Sequence, residues 1–128
     1  MWSITSGFSI DNKLLYSTWG DFHLWDIASG HLLLSNNSGA NVAALSPGGK
    51  FVAIGTESPD SYNYKWNYQL VRSGVITLYD VATGKTLVTL NTGSDEVIGL
   101  AFSPDGRFLA SVCLDDTVQL WAVTSMAE

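Results

Sequence analysis

Apolar and polar residues between Val97 and Val123 divide into three short segments separated by two turns. The first segment, Val97–Phe102, is almost entirely apolar, which is typical of a strand buried on both faces. Pro104-Asp105-Gly106 provides the residues that a tight turn needs before the apolar run at 108–114. Thr117–Trp121 then alternates polar and apolar residues with a period of two, as a strand with one buried face does. The pattern therefore predicts three antiparallel strands.

The same pattern occurs earlier in the chain. Three turn sites align, and each places Asn or Gly where a tight hairpin needs a positive φ; they are Ser9–Lys13, Ser46–Lys50 and Ser103–Arg107. Three later segments also align, namely Leu24-Trp25-Asp26, Leu78-Tyr79-Asp80 and Leu120-Trp121-Ala122. No run shows apolar residues at helical spacing over three turns, so we expect repeated strands and no substantial helix.

The string AFSPDGRFLASVCLDDTVQLW at residues 101–121 resembles the repeat unit of WD-repeat (WD40) β-propellers over most of one repeat. The resemblance implies an all-β fold made of blades, each a four-stranded antiparallel sheet with strands a to d from the axis to the rim. It predicts a partial β-propeller of three blades, of which the third has three strands. Only residues 124–128 follow strand c of that blade, too few for an outer strand.

Spacing between the aligned positions supports this interpretation and locates an insertion. Ser9 precedes Trp25 by 16 positions and Ser103 precedes Trp121 by 18, whereas 33 positions separate Ser46 from Tyr79. Repeat lengths of 37 and 42 positions bracket the roughly 40 residues of a WD-type blade. We expect blade one at about 2–37, blade two at about 40–91 with an insertion between strands b and c at 58–73, and blade three at about 95–124.

The predicted strands follow from these bounds. Blade one is expected to have its strands at 3–9, 14–19, 21–27 and 31–36, and blade two at 41–46, 51–57, 74–81 and 86–91. Blade three is expected to have strands at 96–102, 108–114 and 117–123.

Composition and charge narrow the function classes. The chain has 128 residues and a net charge of −6, with six Lys and Arg spread along it, which argues against nucleic acid as a partner because phosphate binding needs clustered cations. The single cysteine, Cys113, excludes an internal disulfide and lies in an apolar run typical of a buried thiol. The chain shows neither a secretory signal nor an apolar stretch of the roughly 20 residues that span a membrane. We therefore expect a cytoplasmic protein without a membrane partner.

Catalytic and metal-binding patterns are missing from the sequence. The only histidines are His23 and His31, and neither has other ligands at metal-binding spacing. Ser and Thr are frequent throughout, but no base and orienting group accompany any of them in a recognisable pattern. The sequence contains no glycine-rich phosphate-binding loop. We expect no enzyme activity, no cofactor and no metal.

Several polar residues have structural roles by resemblance. In typical WD repeats a hydrogen-bonded tetrad joins an Asp of the b–c turn, a Ser or Thr of strand b, a Trp of strand c and a His before strand a. Asp115, Ser111 and Trp121 match three of these positions, and the segment 92–95 supplies no His. Blade one has Trp25 at the Trp position and blade two has Tyr79. We expect Asp26 and Asp80 to order their c–d turns, because Asp side chains accept hydrogen bonds from turn amides.

The insertion at 58–73 breaks the repeat. Tyr62, Tyr64, Trp66 and Tyr68 alternate with polar residues, so all four would share one face of an extended strand. Tyr, Trp and Arg are enriched at binding hot spots, and the resemblance implies that b–c loops lie on the face most used for partners. The candidate partner-binding residues are Tyr62, Tyr64, Lys65, Trp66, Tyr68 and Arg72. The alternative is a long hairpin whose aromatic side chains cover its own or a neighbouring blade.

Three blades do not close a ring, since propellers typically have four to eight. Two explanations remain: the chain is a fragment of a larger propeller, or copies self-associate through their open blade edges. The preferred function is a non-catalytic scaffold that binds a protein or peptide through loops and the aromatic insertion. The alternatives are a purely structural segment without specific binding and a small-molecule or glycan site on the aromatic loop.

Overall fold

Ten β-strands make up the fold. The computed structural model describes residues 5–40, 42–57, 74–93 and 96–123. Its strands are β1 Thr5–Phe8, β2 Leu14–Asp26, β3 Leu32–Ala40, β4 Val42–Leu45, β5 Phe51–Glu57, β6 Gly74–Asp80, β7 Thr86–Asn91, β8 Val97–Phe102, β9 Phe108–Cys113 and β10 Val118–Ala122. They form three antiparallel sheets in the orders β1-β2-β3, β4-β5-β6-β7 and β10-β9-β8. The prediction of an all-β fold with three blades, the third three-stranded over the described residues, is confirmed.

Strand β2 differs from the two separate strands expected at 14–19 and 21–27. It is continuous over 13 residues, and a straight strand of that length would span roughly 40 Å. Its ends instead meet, because the Ile27 N–H donates to the Lys13 carbonyl oxygen at 3.0 Å. The strand therefore doubles back on itself and supplies both strands b and c of blade one. The tight Trp19-Gly20-Asp21 turn is too short to interrupt the strand pattern.

The turn between strands a and b has the same structure in all three blades. The hydroxyl oxygens of Ser9, Ser46 and Ser103 accept hydrogen bonds from the N–H five residues later, at 2.9, 3.0 and 3.0 Å. The turn residues with positive φ are Asn12 at 61°, Gly49 at 70° and Gly106 at 72°, where Gly or Asn adopts the left-handed conformation at low cost. This local hydrogen bonding explains why the sequence repeats Ser and Gly or Asn at these spacings.

The register of strands b and c is also shared. In blade two Val52 lies opposite Tyr79, and in blade three Leu109 lies opposite Trp121. The hairpins end in equivalent bonds, from Val81 N–H to Lys50 O and from Val123 N–H to Arg107 O, which match the Ile27–Lys13 bond of blade one. Positions can therefore be compared directly between blades.

The core consists of two clusters, one between each pair of neighbouring blades. Between blades one and two, the buried residues are Phe22, Leu24, Ala40, Ala43, Val52, Ile54 and Tyr79. Between blades two and three they are Val42, Ala53, Ile76, Leu78, Val97, Leu109, Cys113 and Val123. Each interface thus uses one face of each sheet, so blade two is covered on both sides and the end blades on one.

Two strands depart from their expected form. Strand β8 was predicted to be buried on both faces, yet Ile98 and Ala101 are exposed, because nothing covers the far side of blade three over the described residues. Strand β3 extends to Ala40, beyond the predicted end at residue 36, and pairs Gly20 with Ala40 after an irregularity. Strand β7 alternates exposed and half-buried residues, as predicted for an outer strand.

Candidate functional site

The connections between strands divide between two ends of the molecule. Successive strands are antiparallel, so the a–b and c–d turns of each blade share one end, called the turn end here, and the b–c and d–a connections share the other, called the loop end. Neighbouring blades align in this respect: a Cβ on Gly49 would lie 3.1 Å from Leu14 Cδ1, and one on Gly106 would lie 3.4 Å from Pro47 Cδ. The a–b turns of adjacent blades are therefore neighbours.

Carboxylates at the turn end hold their own turns. Asp11 Oδ1 accepts from the Ser9 hydroxyl at 2.6 Å, and Asp105 Oδ1 accepts from the Ser103 hydroxyl at 2.7 Å. These serine bonds, followed by bonds from the N–H groups of Lys13 and Arg107, lower the pKa of Asp11 and Asp105. Both carboxylates therefore stay ionised. Their role is to accept hydrogen bonds from residues of their own turns.

The c–d turns use their aspartates in the same way. Asp26 Oδ2 accepts from the Ser29 hydroxyl at 2.6 Å and the Ser29 N–H at 3.1 Å, and the hydroxyl bond is the main cause of the lowered pKa of Asp26. Asp80 Oδ1 accepts from the Ala82 N–H at 2.9 Å. The structure places both side chains inside their turns, in contact with the amides that they were expected to order.

Blade three brings two of its predicted tetrad residues together. Trp121 Nε1 donates to Ser111 Oγ at 3.1 Å, across strands β10 and β9, and Ser111 is fully buried. Asp115 lies in the b–c turn, where its Oδ1 accepts from the hydroxyl and the N–H of Thr117. Gln119 Nε2 reaches back to blade two and donates to the Thr92 carbonyl oxygen at 3.0 Å. The Trp121–Ser111 bond thus joins β10 to β9, and the Gln119–Thr92 bond joins blade three to blade two.

The remaining candidate residues take positions in the blade faces. Tyr79 is buried in the cluster between blades one and two. Trp25 lies on the opposite, outward side of blade one and stacks on His23 with ring centroids 6.0 Å apart. His31 is exposed and directly precedes strand β3.

Among the described residues, no three His, Cys, Asp or Glu side chains lie close enough together to hold a metal ion. Cys113 is buried in the cluster between blades two and three. In the same part of the chain, no helix has the length and apolar character needed to cross a membrane.

The aromatic insertion lies outside the described residues, and with it the predicted partner-binding residues Tyr62, Tyr64, Lys65, Trp66, Tyr68 and Arg72. The structure does fix the two points where the insertion leaves and re-enters the blade. Glu57 at the end of β5 pairs directly with Gly74 at the start of β6. Residues 58–73 therefore begin and end side by side at the loop end.

The sequence predicted open blade edges for self-association without naming their residues, and the structure shows an apolar surface on the outward side of blade three. Val118 and Leu120 are the apolar members of the alternating pattern in strand β10, and they are 66% and 69% exposed. The equivalent positions of the two earlier blades are buried by the next blade along the chain. An exposed apolar surface of this kind on blade three is a candidate site of association.

Comparison with known proteins agrees with the architecture. Residues 84–122 match the family model described as WD domain, G-beta repeat. The SAGA complex/transcription factor TFIID complex subunit Taf5 of Schizosaccharomyces pombe is 30% identical over 87 residues, which cover 68% of this chain and 13% of that protein. WD repeat-containing protein slp1 of the same organism is 28% identical over 121 residues, which cover 93% of this chain and 21% of that protein.

Solved structures share the fold over nearly the whole chain. The crystal structure of the RRP9 WD40 repeats has a TM-score of 0.75 at 21% identity, and the structure of U3-55K has a TM-score of 0.74 at 22% identity. The matches cover 99% of this chain but only 37% and 38% of those chains. The chain thus spans well under half the length of each of these relatives. It carries a WD repeat at residues 84–122 and has the blade architecture of the WD-repeat β-propeller family.

Proposed function

We propose that the chain is a non-catalytic interaction scaffold that holds a protein or peptide at its loop end. The observation that carries the proposal is the pairing of Glu57 with Gly74, which anchors a 16-residue insertion at one point of a rigid blade. Functional residues are commonly carried by loops that a rigid scaffold positions. The insertion supplies four aromatic residues and two cations, the side-chain types enriched at binding hot spots.

The chemistry of the described residues supports a binding role over a catalytic one. The turn-end aspartates are occupied by their own turns, and the polar residues of blade three bond across strands or between blades. WD-repeat propellers are generally interaction scaffolds. The printed name of one relative, Taf5, describes it as a subunit of a complex, which agrees with a role in protein assembly.

Charge favours a neutral or basic partner. The four Lys and Arg among the described residues all lie at the turn end; they are Lys13, Lys50, Lys85 and Arg107. The described b–c turns at the loop end instead carry Asp21, Asp115 and Asp116. A basic peptide could pair with these three carboxylates, on a part of the loop end separate from the two cations of the insertion, and such charge complementarity increases association rate and specificity. Nucleic acid, which needs clustered cations, stays an unfavourable partner. The cytoplasmic location stays a prediction.

Binding of displayed peptides tests the proposal. Peptides selected from a random library on the intact chain are measured by fluorescence anisotropy against the chain and against a variant with Tyr64→Ser, Trp66→Ser and Tyr68→Ser. We expect the variant to lose at least about 30-fold in affinity, since removing a hot-spot residue costs roughly 2 kcal/mol or more. The selected peptides should be rich in Lys or Arg, and their affinity should fall as salt rises.

Ile10→Ser is the matched control, because Ile10 is an exposed apolar residue at the turn end and its loss should leave peptide affinity unchanged. The thermal midpoint of the triple variant should stay close to that of the parent chain. A large drop in that midpoint would instead show that the aromatic residues are part of the core. If the selected peptides bound the triple variant as tightly as the parent chain, the insertion would not be the peptide-binding site.

A further inference from the structure

The side of blade three that is turned away from blade two is an uncovered apolar surface. The register pairs its members across strands β9 and β10, as Phe108 with Ala122, Ala110 with Leu120, and Val112 with Val118. These six residues, called the trailing face here, are all apolar, and Val118 and Leu120 are 66% and 69% exposed. An exposed apolar patch on a sheet commonly marks an association surface.

The positions equivalent to Leu120 and Val118 of the trailing face are buried in the other two blades. Leu120 corresponds to Leu78 of blade two and Leu24 of blade one, and both of these are fully buried. Likewise Val118 corresponds to Ile76 and Phe22, which are also fully buried. In both cases the burial is produced by the next blade along the chain. The trailing face is therefore one half of an interface that the molecule forms twice internally.

The other half of that interface is uncovered on blade one. Its outward side carries Phe8, Leu15 and Trp25, called the leading face here, with Phe8 opposite Leu15 in the register. The equivalent residues of blade two, Leu45, Val52 and Tyr79, pack on blade one. Those of blade three, Phe102, Leu109 and Trp121, pack on blade two. On blade one itself, Phe8 is 66% exposed, and Leu15 and Trp25 are half-buried.

We propose that the trailing face binds the leading face of a second copy of this chain, repeating between molecules the blade-to-blade packing seen twice within one. The members of both faces are uncharged, and the Arg107 guanidinium lies over the Phe108 ring, 5.9 Å from its centroid, at the border of the trailing face. Continuity with the two internal interfaces identifies the occupant, because the chain itself presents the surface that this face is built to receive. The proposal is independent of peptide binding at the loop end.

The arrangement has a definite symmetry. Two different faces meet, so the contact is head-to-tail, and such contacts give a closed ring when the rotation closes and an open array when it does not. Each molecule keeps one unused face in an open pair. This asymmetry provides a test that a symmetric contact between two trailing faces would fail.

Mass in solution tests the proposal. Light scattering on the intact chain over a range of concentrations should show a mass that rises from 13.8 kDa to at least twice that value. Leu120→Lys disables the trailing face and Phe8→Lys disables the leading face, and each variant alone should stay at 13.8 kDa. Because each variant keeps the face that the other lacks, a mixture of the two should restore particles of twice the single-chain mass.

Val118→Lys and Trp25→Lys are second variants of the two faces, and Ile10→Lys is the control at an exposed apolar residue outside both. Thermal midpoints identify variants that fail to fold, and the Ile10 variant should associate like the parent chain. A parent chain that stays at the single-chain mass at every concentration would overturn the proposal and leave the trailing face to a different partner. Association that survives Leu120→Lys and Val118→Lys, or folded variants whose mixture stays at the single-chain mass, would also overturn it.

Discussion

Gly55 lies in the middle of strand β5, where no turn requires a glycine. A Cβ at this position would come within 2.9 Å of Cγ1 of both Val42 and Val97 and within 3.0 Å of Val97 Cβ. Val42 belongs to the same sheet, but Val97 begins strand β8 of blade three. The missing side chain therefore lets two blades approach each other, and a single residue sets the distance between them.

Gly55→Ala should lower the free energy of unfolding by about 1–3 kcal/mol, the usual cost of forcing an extra carbon into a packed core. Urea denaturation gives this value directly. Gly48→Ala is the matched control, because a Cβ there would meet no atom within 4 Å, and it should change stability by less than about 0.5 kcal/mol. Equal effects from both substitutions would show that the close approach to Val97 is unimportant.

Strands β9 and β10 are joined by a side-chain bond as well as by their ladder. Trp121 Nε1 donates to the buried Ser111 Oγ, two positions along from the residue opposite Trp121 in the register. β10 is the edge strand of its sheet, so it has backbone partners on one side only over the described residues. The hydrogen bond from the Trp121 indole therefore adds a side-chain link to β10, a strand that pairs with only one neighbour.

A double-mutant cycle with Ser111→Ala and Trp121→Phe measures this bond. We expect a coupling free energy of about 1 kcal/mol, the typical net value of a hydrogen bond inside a protein. Chemical denaturation of the two single variants and the double variant supplies the numbers. Strictly additive losses would mean that the two side chains stabilise β10 independently, through packing alone.

The whole molecule is an arc in which a residue's burial depends on the blade that carries it. Leu78 and Leu120 occupy the same position of strand c, yet Leu78 is fully buried between two blades and Leu120 is 69% exposed. Among the described residues, blade two is covered on both sides, and blades one and three are each covered on one side. Stability should therefore be concentrated at the centre of the arc.

Leu78→Ala should lower the free energy of unfolding by about 2–5 kcal/mol, as core leucine truncations do. Leu120→Ala should change it by less than about 0.5 kcal/mol. Tryptophan fluorescence at nanomolar chain concentration measures both values under conditions where a second copy contributes little. A comparable loss from the two substitutions would mean that the trailing face is covered within one molecule.

Most of the local structure could be predicted from the residues. The serine hydroxyls and the positive φ of Asn12, Gly49 and Gly106 form the a–b turns with partners at most five residues away. Apolar runs and alternation located the strands because backbone pleating ties side-chain direction to sequence position. The continuous β2 hairpin was not predicted, since its strands turn within three residues and leave no break in the pattern.

For the candidate site, the sequence could predict only its position in the repeat, between strands b and c of blade two. Spacing alone located the insertion between Ser46 and Tyr79, and the pairing of Glu57 with Gly74 shows where it is anchored. Open blade edges were predicted, but the residues of the trailing face were not, because an apolar position in a strand has the same sequence signature whether or not another sheet covers it. Gly55 was missed for a similar reason, as its neighbour Val97 lies 42 positions away in the sequence.

The sequence by itself determined the repeated strand unit and its turns, since each depends on residues close together in the chain. Only the tertiary structure decided which faces of those strands are buried, because burial depends on the neighbouring blade rather than on the strand. Leu24, Leu78 and Leu120 are the same residue at the same position of three copies. The third is exposed because the described chain has no blade to place against it.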